Sequence, residues 1–189
     1  MSIMDTDYSS AEDFTRLLEA SAPAIETILQ ASGLAEDNRV RLMQAGYAPK
    51  EIFDLTDREM DALFQSGVRA LGGGDLQGAQ DMFAMLCKLD GLDARFPFAL
   101  AGTFQLQEKF ATAGKLYAVA LGLDATHVDA YLRLGECLLA AREPDNAREA
   151  FEVAVALVER GHGAPELKAD AEAMLALIAE AGSDPAGPA

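Results

Sequence analysis

Residues 60–93 read MDALFQSGVRALGGGDLQGAQDMFAMLCKLDGLD, residues 94–127 read ARFPFALAGTFQLQEKFATAGKLYAVALGLDATH, and residues 128–159 read VDAYLRLGECLLAAREPDNAREAFEVAVALVE. When the segments are aligned, the same residue types recur in the same columns at a spacing of 34 residues. Two columns hold small residues, one holds aromatic residues and one holds leucine or alanine: Gly67, Ala101 and Gly135; Ala79, Ala113 and Ala147; Phe83, Tyr117 and Phe151; Leu86, Ala120 and Ala154. This register indicates that the chain repeats one structural unit.

A 34-residue period with small residues at the eighth and twentieth positions and an aromatic residue at the twenty-fourth is typical of the tetratricopeptide repeat. Each repeat is a pair of antiparallel helices, and stacking the pairs buries a continuous core. The small residues let the paired helices approach closely, and the aromatic residue fills the space toward the next repeat. We therefore predict an all-α tetratricopeptide-repeat solenoid of three helix pairs, with an N-terminal helical extension and a C-terminal capping helix.

The regions that flank the repeats divide the chain into further parts. We predict an N-terminal helical region over residues 1–55, the repeats over residues 56–161, a closing helix over residues 162–181 and a disordered tail over residues 182–189. In the first part, Ser9 and Glu12 have the spacing of a helix-capping box, and an apolar stripe follows at Phe14, Leu17, Leu18, Ile25, Ile28 and Leu29. This stripe either caps the solenoid or also pairs with a second copy of the chain.

Local signals mark the first repeat. Thr56 and Glu59 form a second capping box, which predicts the start of the first repeat helix. The glycine run at residues 72–74 invites comparison with a phosphate-binding loop, but neither a preceding strand nor a following Lys-Ser/Thr accompanies it. We interpret the run as the turn between two antiparallel helices, with Asp75 opening the second.

Composition narrows the class of partner. The chain has 15 Lys and Arg residues against 31 Asp and Glu residues, a formal net charge of −16. This surface disfavours nucleic acid and anionic membranes, because binding to either begins by neutralising phosphates. No apolar run approaches the roughly 18–20 residues of a membrane span, and the N-terminus lacks a signal-peptide pattern. Cys87 and Cys137 lie in apolar helical patterns, which predicts reduced core thiols of a cytosolic protein rather than a disulfide or metal site.

The sequence contains no group of residues that predicts catalysis. His127 and His162 lie apart from Cys and acidic residues at ligand spacing, so we expect both to be solvated turn residues. Glu136 falls on the inner helix of the third repeat without a partner that would shift its pKa, which favours a specificity contact over a general base. We therefore predict a binding protein that is not an enzyme and uses no cofactor or metal.

The predicted binding surface is the concave groove of the solenoid, which is lined by the first helix of each pair. Positions two, five, nine and twelve of the repeat point inward, and the candidate groove residues are Phe64, Val68, Leu71, Arg95, Phe98, Gly102, Gln105, Leu132, Glu136 and Leu139. Several are apolar where a solvated surface would be polar, which favours a groove that takes up apolar side chains. Gly102 leaves room for a ligand. The alternative is that some of these residues pack within the superhelix.

Strings between the repeat columns resemble the signature of the tetratricopeptide chaperones of type III secretion systems. They are LCKLD at 86–90, DARF at 93–96, ALA at 99–101, LYAVA at 116–120 and LGECLL at 134–139. The lead-in over residues 46–63, with LTDREM at 55–60, is similar to the same family. The resemblance covers residues 42–155, which is most of the chain outside the first helix and the tail.

The resemblance implies a class II chaperone, which binds pore-forming translocator proteins in the bacterial cytosol and holds them soluble and separate before secretion. It implies that the groove grips an extended N-terminal segment of the translocator, with pockets formed by Phe64, Val68, Leu71, Phe98, Gln105 and Leu132. It also implies a homodimer formed through the N-terminal helices and, for some members, co-activation of a transcriptional activator.

A generic tetratricopeptide adaptor that scaffolds folded partners or binds C-terminal peptides is the alternative function. A groove that clamps a terminal carboxylate needs several inward Lys, Arg or Asn residues. Arg95 is the one candidate groove residue of this kind, which disfavours that version. An enzyme would need a catalytic pair that the sequence does not show.

Overall fold

A computed structural model of the chain describes residues 41–42 and 45–183, and this part consists of helices joined by short turns. The helices are α1 (Pro49–Ile52), α2 (Asp57–Gly72), α3 (Leu76–Leu89), α4 (Arg95–Leu106), α5 (Phe110–Leu123), α6 (Val128–Ala140), α7 (Pro144–Glu159) and α8 (Glu166–Ser183). The predicted capping box at Ser9, the apolar stripe that follows it and residues 184–189 of the predicted tail lie outside the described residues. Helix α8 continues to Ser183, past the end predicted for the closing helix.

Consecutive helices pack against one another along the chain. Helices α2 and α3, α4 and α5, and α6 and α7 form the three pairs, each second helix packs against the first helix of the next pair, and α8 packs on α7 and α6. The predicted all-α solenoid of three helix pairs with a closing helix is confirmed in the described residues.

The repeat columns explain how each pair closes. Ala79, Ala113 and Ala147 are completely buried. A Cβ atom placed on Gly67 would lie 2.6 Å from the Phe83 ring, and one placed on Gly135 would lie 2.6 Å from the Phe151 ring. The helices of the first and third pairs therefore approach so closely that the aromatic ring occupies the space of a side chain.

The aromatic column forms the centre of the core. Phe83, Tyr117 and Phe151 are at most 2% exposed. The buried residues around Phe83 and those around Tyr117 and Phe151 form two clusters, and Phe104 and Leu116 pack against both. The core is thereby continuous from the first pair to α8, as stacking of repeats requires.

The two cysteines contribute to this core as uncharged thiols. Cys137 is buried and Cys87 is half-buried, and neither forms a disulfide. Burial raises the pKa of Cys87 to about 11 and that of Cys137 to about 12. Because a thiol needs its charged form to act as a nucleophile or metal ligand, both groups are inert at neutral pH.

The segment before the first repeat is anchored by an ion pair. Helix α1 lies within the predicted N-terminal helical region, and Lys50 Nζ is 2.6 Å from the carboxylate of Asp90, which is 8% exposed. The hydrogen bond to Asp90 raises the pKa of Lys50, against the opposing effect of its desolvation. Tyr47 and Phe53 remain about half exposed on either side of this anchor.

The capping box at the start of α2 is confirmed and gives a stability prediction. Glu59 N donates to Thr56 Oγ1 at 3.3 Å, and Thr56 N donates to Glu59 Oε2 at 2.8 Å. Thr56→Ala removes the first of these bonds, so we expect the free energy of unfolding to fall by about 1 kcal/mol. Thr112→Ala, at an exposed position within α5, is the control and should be neutral or slightly stabilising. Urea denaturation of both variants measures the difference, and equal effects would refute a capping role.

Candidate functional site

A cavity of about 480 Å³ opens on the inner face of the solenoid, between α2, α4, α5 and α6. It is lined by Leu71, Gly102, Gln105, Leu106, Phe110, Tyr117 and Arg133. Leu71, Gly102 and Gln105 belong to the predicted groove, so residues of the first and second repeats do converge on one concavity. We call it the central cavity.

Gly102 determines the depth of the central cavity. It lies in the middle of α4, and a Cβ atom placed on it would be 3.7 Å from Tyr117 Oη, an ordinary contact distance. A methyl group would fit at this position, whereas a longer side chain would enter the cavity itself. The space predicted beside Gly102 is present.

A chain of polar side chains crosses the inner face from the second repeat to the third. Tyr117 Oη donates to Gln105 Oε1 at 2.7 Å, and Gln105 Nε2 donates to Glu136 Oε2 at 2.7 Å. Arg133 Nη1 then donates to the two carboxylate oxygens of Glu136 at 2.9 and 3.0 Å. These four residues are the polar chain, and their mutual hydrogen bonds fix the orientation of the Gln105 amide at the cavity wall.

Two members of the polar chain, Tyr117 and Arg133, keep their protons. Burial raises the pKa of Tyr117, so its hydroxyl stays protonated and remains a donor. Desolvation acts to lower the pKa of Arg133, but the hydrogen bond and charge of Glu136 outweigh it and raise the pKa. The Glu136 carboxylate faces the Arg133 guanidinium, so the polar chain presents fixed hydrogen-bonding groups at the wall of the central cavity.

Phe98 forms an aromatic wall beside the polar chain. Its ring centroid is 5.5 Å from that of Tyr117 and 4.4 Å from that of His127, and the planes of Phe98 and His127 are inclined by 30°. His127 Nδ1 also accepts a hydrogen bond from Ala130 N at 3.3 Å, which caps the start of α6. The expectation that His127 is a solvated turn residue was therefore wrong, whereas His162 does lie in an exposed turn.

Arg95 lies at the boundary of the first and second repeats and already forms ion pairs with two aspartates. Its guanidinium is 2.9 Å from Asp61 and 2.6 Å from Asp93, and lies 5.6 Å from the ring centroids of Phe64 and Phe96. The hydrogen bond to Asp93 is the main cause of its raised pKa. Arg95 therefore ties the two repeats together, and a peptide carboxylate would have to compete with two aspartates for it.

The four remaining predicted groove residues lie in four different environments. Val68 is 41% exposed on the inner side of α2, and Phe64 is half-buried against the Phe83 and Phe96 rings. Leu132 is 6% exposed and belongs to the hydrophobic core, so it is not the open pocket residue that the repeat frame suggests. Leu139 lines a different cavity, near α8.

Four lining residues of the central cavity lie outside the predicted inner positions: Leu106, Phe110, Tyr117 and Arg133. Tyr117 belongs to the aromatic column, and unlike Phe83 and Phe151 it carries a hydroxyl, which reaches the central cavity. Leu106 and Phe110 flank the turn between α4 and α5. Because this turn contains the charged residues Glu108 and Lys109, the two apolar residues beside it could have been recognised from the sequence. Leu106 is 64% exposed, which sets it at the cavity rim.

Neither a metal-binding cluster nor a membrane-spanning helix is found in the described part of the chain. Among residues 41–42 and 45–183, no three His, Cys, Asp or Glu side chains cluster in a way that could hold a metal ion. Within the same ranges, no helix combines the length and apolar character required to cross a bilayer.

Comparisons with known proteins identify the repeat and the class of relative. The tetratricopeptide repeat family matches residues 105–159. The chaperone protein SicA of Salmonella typhimurium is 30% identical over 108 residues, which are 57% of this chain and 66% of SicA. The chain therefore contains a tetratricopeptide repeat and is similar to a chaperone over 57% of its length. The match spans slightly less than two thirds of that relative's length.

Solved structures are similar to a larger part of the chain than SicA is. A type III secretion system complex from Aeromonas hydrophila superposes with a TM-score of 0.69 at 25% identity, covering 76% of this chain and 97% of that one. Pseudomonas aeruginosa PcrH, solved with the chaperone-binding region of PopD, gives a TM-score of 0.64 at 27% identity, with 68% of this chain and 97% of that one covered. The resemblance to the translocator chaperones is thereby confirmed.

Proposed function

We propose that this tetratricopeptide-repeat protein is a type III secretion chaperone that binds an extended N-terminal segment of a pore-forming translocator in its concave groove. The observation that carries the proposal is the central cavity, an apolar concavity beside a fixed row of hydrogen-bonding groups, in a fold shared with a chaperone solved with a translocator's chaperone-binding region. The relatives are described as chaperones, which agrees with a binding role rather than a catalytic one.

The central cavity suits one apolar side chain of an extended segment. Leu71, Leu106 and Phe110 provide apolar walls, and Gly102 leaves the floor open. The Gln105 amide lies at the wall, where its fixed orientation would select the direction of a passing peptide backbone. In this proposal, candidate groove residues Phe64, Val68 and Phe98 extend the contact along the face, while Arg95 and Glu136 set its charge pattern.

One anchor is insufficient for stable binding. Burying one leucine-sized side chain contributes about 1.5–3 kcal/mol, whereas a micromolar Kd corresponds to about 8 kcal/mol before the cost of ordering the segment is met. We therefore expect the translocator segment to use several apolar side chains along the groove.

The charge of the chaperone supports its function. A net charge of −16 would disperse a complex that carries an aggregation-prone, membrane-inserting cargo. We propose that the protein acts in the bacterial cytosol, where such cargo must be held before secretion. Homodimerisation through the N-terminal helical region, and co-activation of a transcriptional activator, belong to the same proposal and involve residues 1–40 or partners outside the described structure.

Co-expression tests this function directly. A translocator whose gene lies near that of this chain should move from the insoluble to the soluble fraction when the two proteins are produced together, and the pair should co-purify. The control is co-expression with an unrelated tetratricopeptide protein. If the translocator is equally insoluble with and without this chain, the chaperone function is wrong.

The alternative, an adaptor that clamps a C-terminal carboxylate, finds less support in the geometry. Arg95 is paired with two aspartates and Arg133 with Glu136. Both inner guanidinium groups therefore already have carboxylate partners, and a terminal carboxylate would have to displace them.

A further inference from the structure

A second cavity, of about 350 Å³, lies at the C-terminal end of the solenoid between α6, α7 and α8. Leu139, Leu177, Ile178 and Ala181 form its apolar walls, and the ion pair of Asp145 and Arg148, at 3.3 Å, stands at its edge. We call it the terminal cavity. It shares no lining residue with the central cavity.

The terminal cavity occupies the same place in the repeat as the central cavity, one repeat further on. Leu139 and Pro144 line the terminal cavity, and Gln105 and Phe110, which precede them by 34 residues in the sequence, line the central one. Helix α8 lines one side of the terminal cavity with Leu177, Ile178 and Ala181, and α6 lines one side of the central cavity with Arg133. A solenoid repeats its local geometry from unit to unit, so a ligand lying along the inner face that reaches one cavity is directed toward the next.

The walls of the terminal cavity remain open to a ligand. Leu177 is 58% exposed, whereas its neighbour Ile178 is 6% exposed and belongs to the core. A closing helix is expected to present a polar outer face, and an exposed leucine on its own means little. Here the leucine borders a cavity whose opposite wall is Leu139, a predicted groove residue.

The charges around the terminal cavity argue against a second copy of the chain as its occupant. The Asp145 side chain is 89% exposed, and α8 carries Glu166, Asp170, Glu172 and Glu180 against one basic residue, Lys168. A second copy that met this cavity with its own α8 would place these carboxylates opposite one another, which opposes contact at this face. A neutral or basic segment is electrostatically complementary.

We infer that the terminal cavity is a second anchoring pocket for the same translocator segment. It takes an apolar side chain that comes after the one held in the central cavity. The stretch of the segment around this second side chain is neutral or basic. This inference rests on the proposed function and deepens it. Because neighbouring packed helices lie roughly 8–10 Å apart and an extended chain advances about 3.3 Å per residue, the two anchors are separated by at least about three residues. The chaperone thereby reads two apolar side chains at a set spacing.

Calorimetric titration with two translocator peptides tests the inference on the full-length chaperone. A short peptide from the N-terminal region of the translocator carries the minimal binding stretch, and a longer one extends it in both directions. Leu177→Glu places a carboxylate at the mouth of the terminal cavity from an exposed position, so the fold should survive. We expect it to weaken the longer peptide about tenfold or more, equivalent to one lost anchor, and to leave the short peptide unaffected.

Two further variants make the result specific. Ala181→Leu fills the terminal cavity from another exposed position and should act in the same direction as Leu177→Glu. Leu123→Glu makes the same substitution on α5, at a leucine that is 37% exposed and lines neither cavity, and should bind both peptides like the parent protein.

The outcomes separate this inference from the proposed function. If Leu177→Glu leaves the longer peptide unaffected while Gly102→Leu abolishes binding, the terminal cavity is not an anchoring pocket and the central groove stands. If Gly102→Leu is also harmless, the groove proposal and this inference both fail. If Leu177→Glu changes the sedimentation coefficient of the protein but not its peptide binding, the terminal cavity binds a second copy of the chain. If deletion of residues 184–189 tightens peptide binding, the cavity binds the chain's own tail. Either result would overturn the inference.

Discussion

Gly102→Leu is expected to weaken binding of the translocator segment by about a hundredfold or more while leaving the fold intact. The new side chain would occupy the central cavity, because the Cβ position at Gly102 is in ordinary contact with Tyr117 Oη and the space beyond it is the cavity. Replacing a glycine within a helix by leucine also favours the helix by up to about 1 kcal/mol. Calorimetric titration measures the affinity, and thermal unfolding of the same variant measures its stability.

Gly122→Leu is the matched control for this prediction. Gly122 lies on α5 in the same repeat, and a Cβ atom placed there would meet no atom within 4 Å. The same substitution should therefore leave affinity for the segment unchanged. If both variants bind equally well, the ligand does not enter the central cavity. If both bind equally poorly, the loss reflects a general effect of the substitution and the cavity has no special role.

Phe151→Ala is expected to give the largest loss of stability, about 3–5 kcal/mol in the free energy of unfolding. Phe151 is completely buried, and its ring fills the space that the absence of a side chain at Gly135 creates between α6 and α7. Removal of the ring leaves a cavity that those two helices cannot close without changing their separation. Because the whole domain is stabilised by only about 5–15 kcal/mol, urea denaturation followed by circular dichroism should show a much lower midpoint.

Val153→Ala serves as the control for the stability prediction, since Val153 lies two residues away on the same helix and is 39% exposed. We expect it to cost less than about 1 kcal/mol. Similar losses for the two variants would show that α7 is sensitive to any truncation and that the aromatic column has no special structural role.

The sequence was sufficient to predict the fold because the residues of the repeat columns make the contacts between the two helices of each pair. Gly67, Gly135 and the alanine column mark where helices touch, and the aromatic column marks what lies between them. These relationships recur every 34 residues in the sequence, so each is observed three times. The capping box at Thr56 is likewise a contact between residues close in sequence, which makes it readable without a structure.

The groove was only partly predictable, because its surface depends on contacts between repeats. The repeat frame selects inner positions, and on that basis Leu132 and Leu71 look alike. In the structure, Leu132 is buried in the core and Leu71 lines the central cavity. Arg133 lies at the neighbouring position outside the predicted set, and its length brings the guanidinium to Glu136 and the cavity.

Contacts between residues that are distant in the sequence could not be predicted either. The ion pair of Arg95 with Asp61 joins residues 34 positions apart, and stacking of His127 on Phe98 joins the start of α6 to α4. The terminal cavity was beyond prediction for another reason: the glycine-containing break at residues 161–165 interrupts the repeat frame, so the positions of α8 could not be equated with those of earlier helices.

Site-specific photo-crosslinking tests the central claim, that the translocator segment lies in the concave groove, most directly. A benzophenone amino acid would replace Leu106, which is 64% exposed at the rim of the central cavity, or Val119, which is 52% exposed on the second helix of the same repeat. After irradiation of the co-purified complex, the account predicts a crosslink to the N-terminal segment of the translocator from position 106 and none from position 119. A crosslink to that segment from position 119 alone would contradict it.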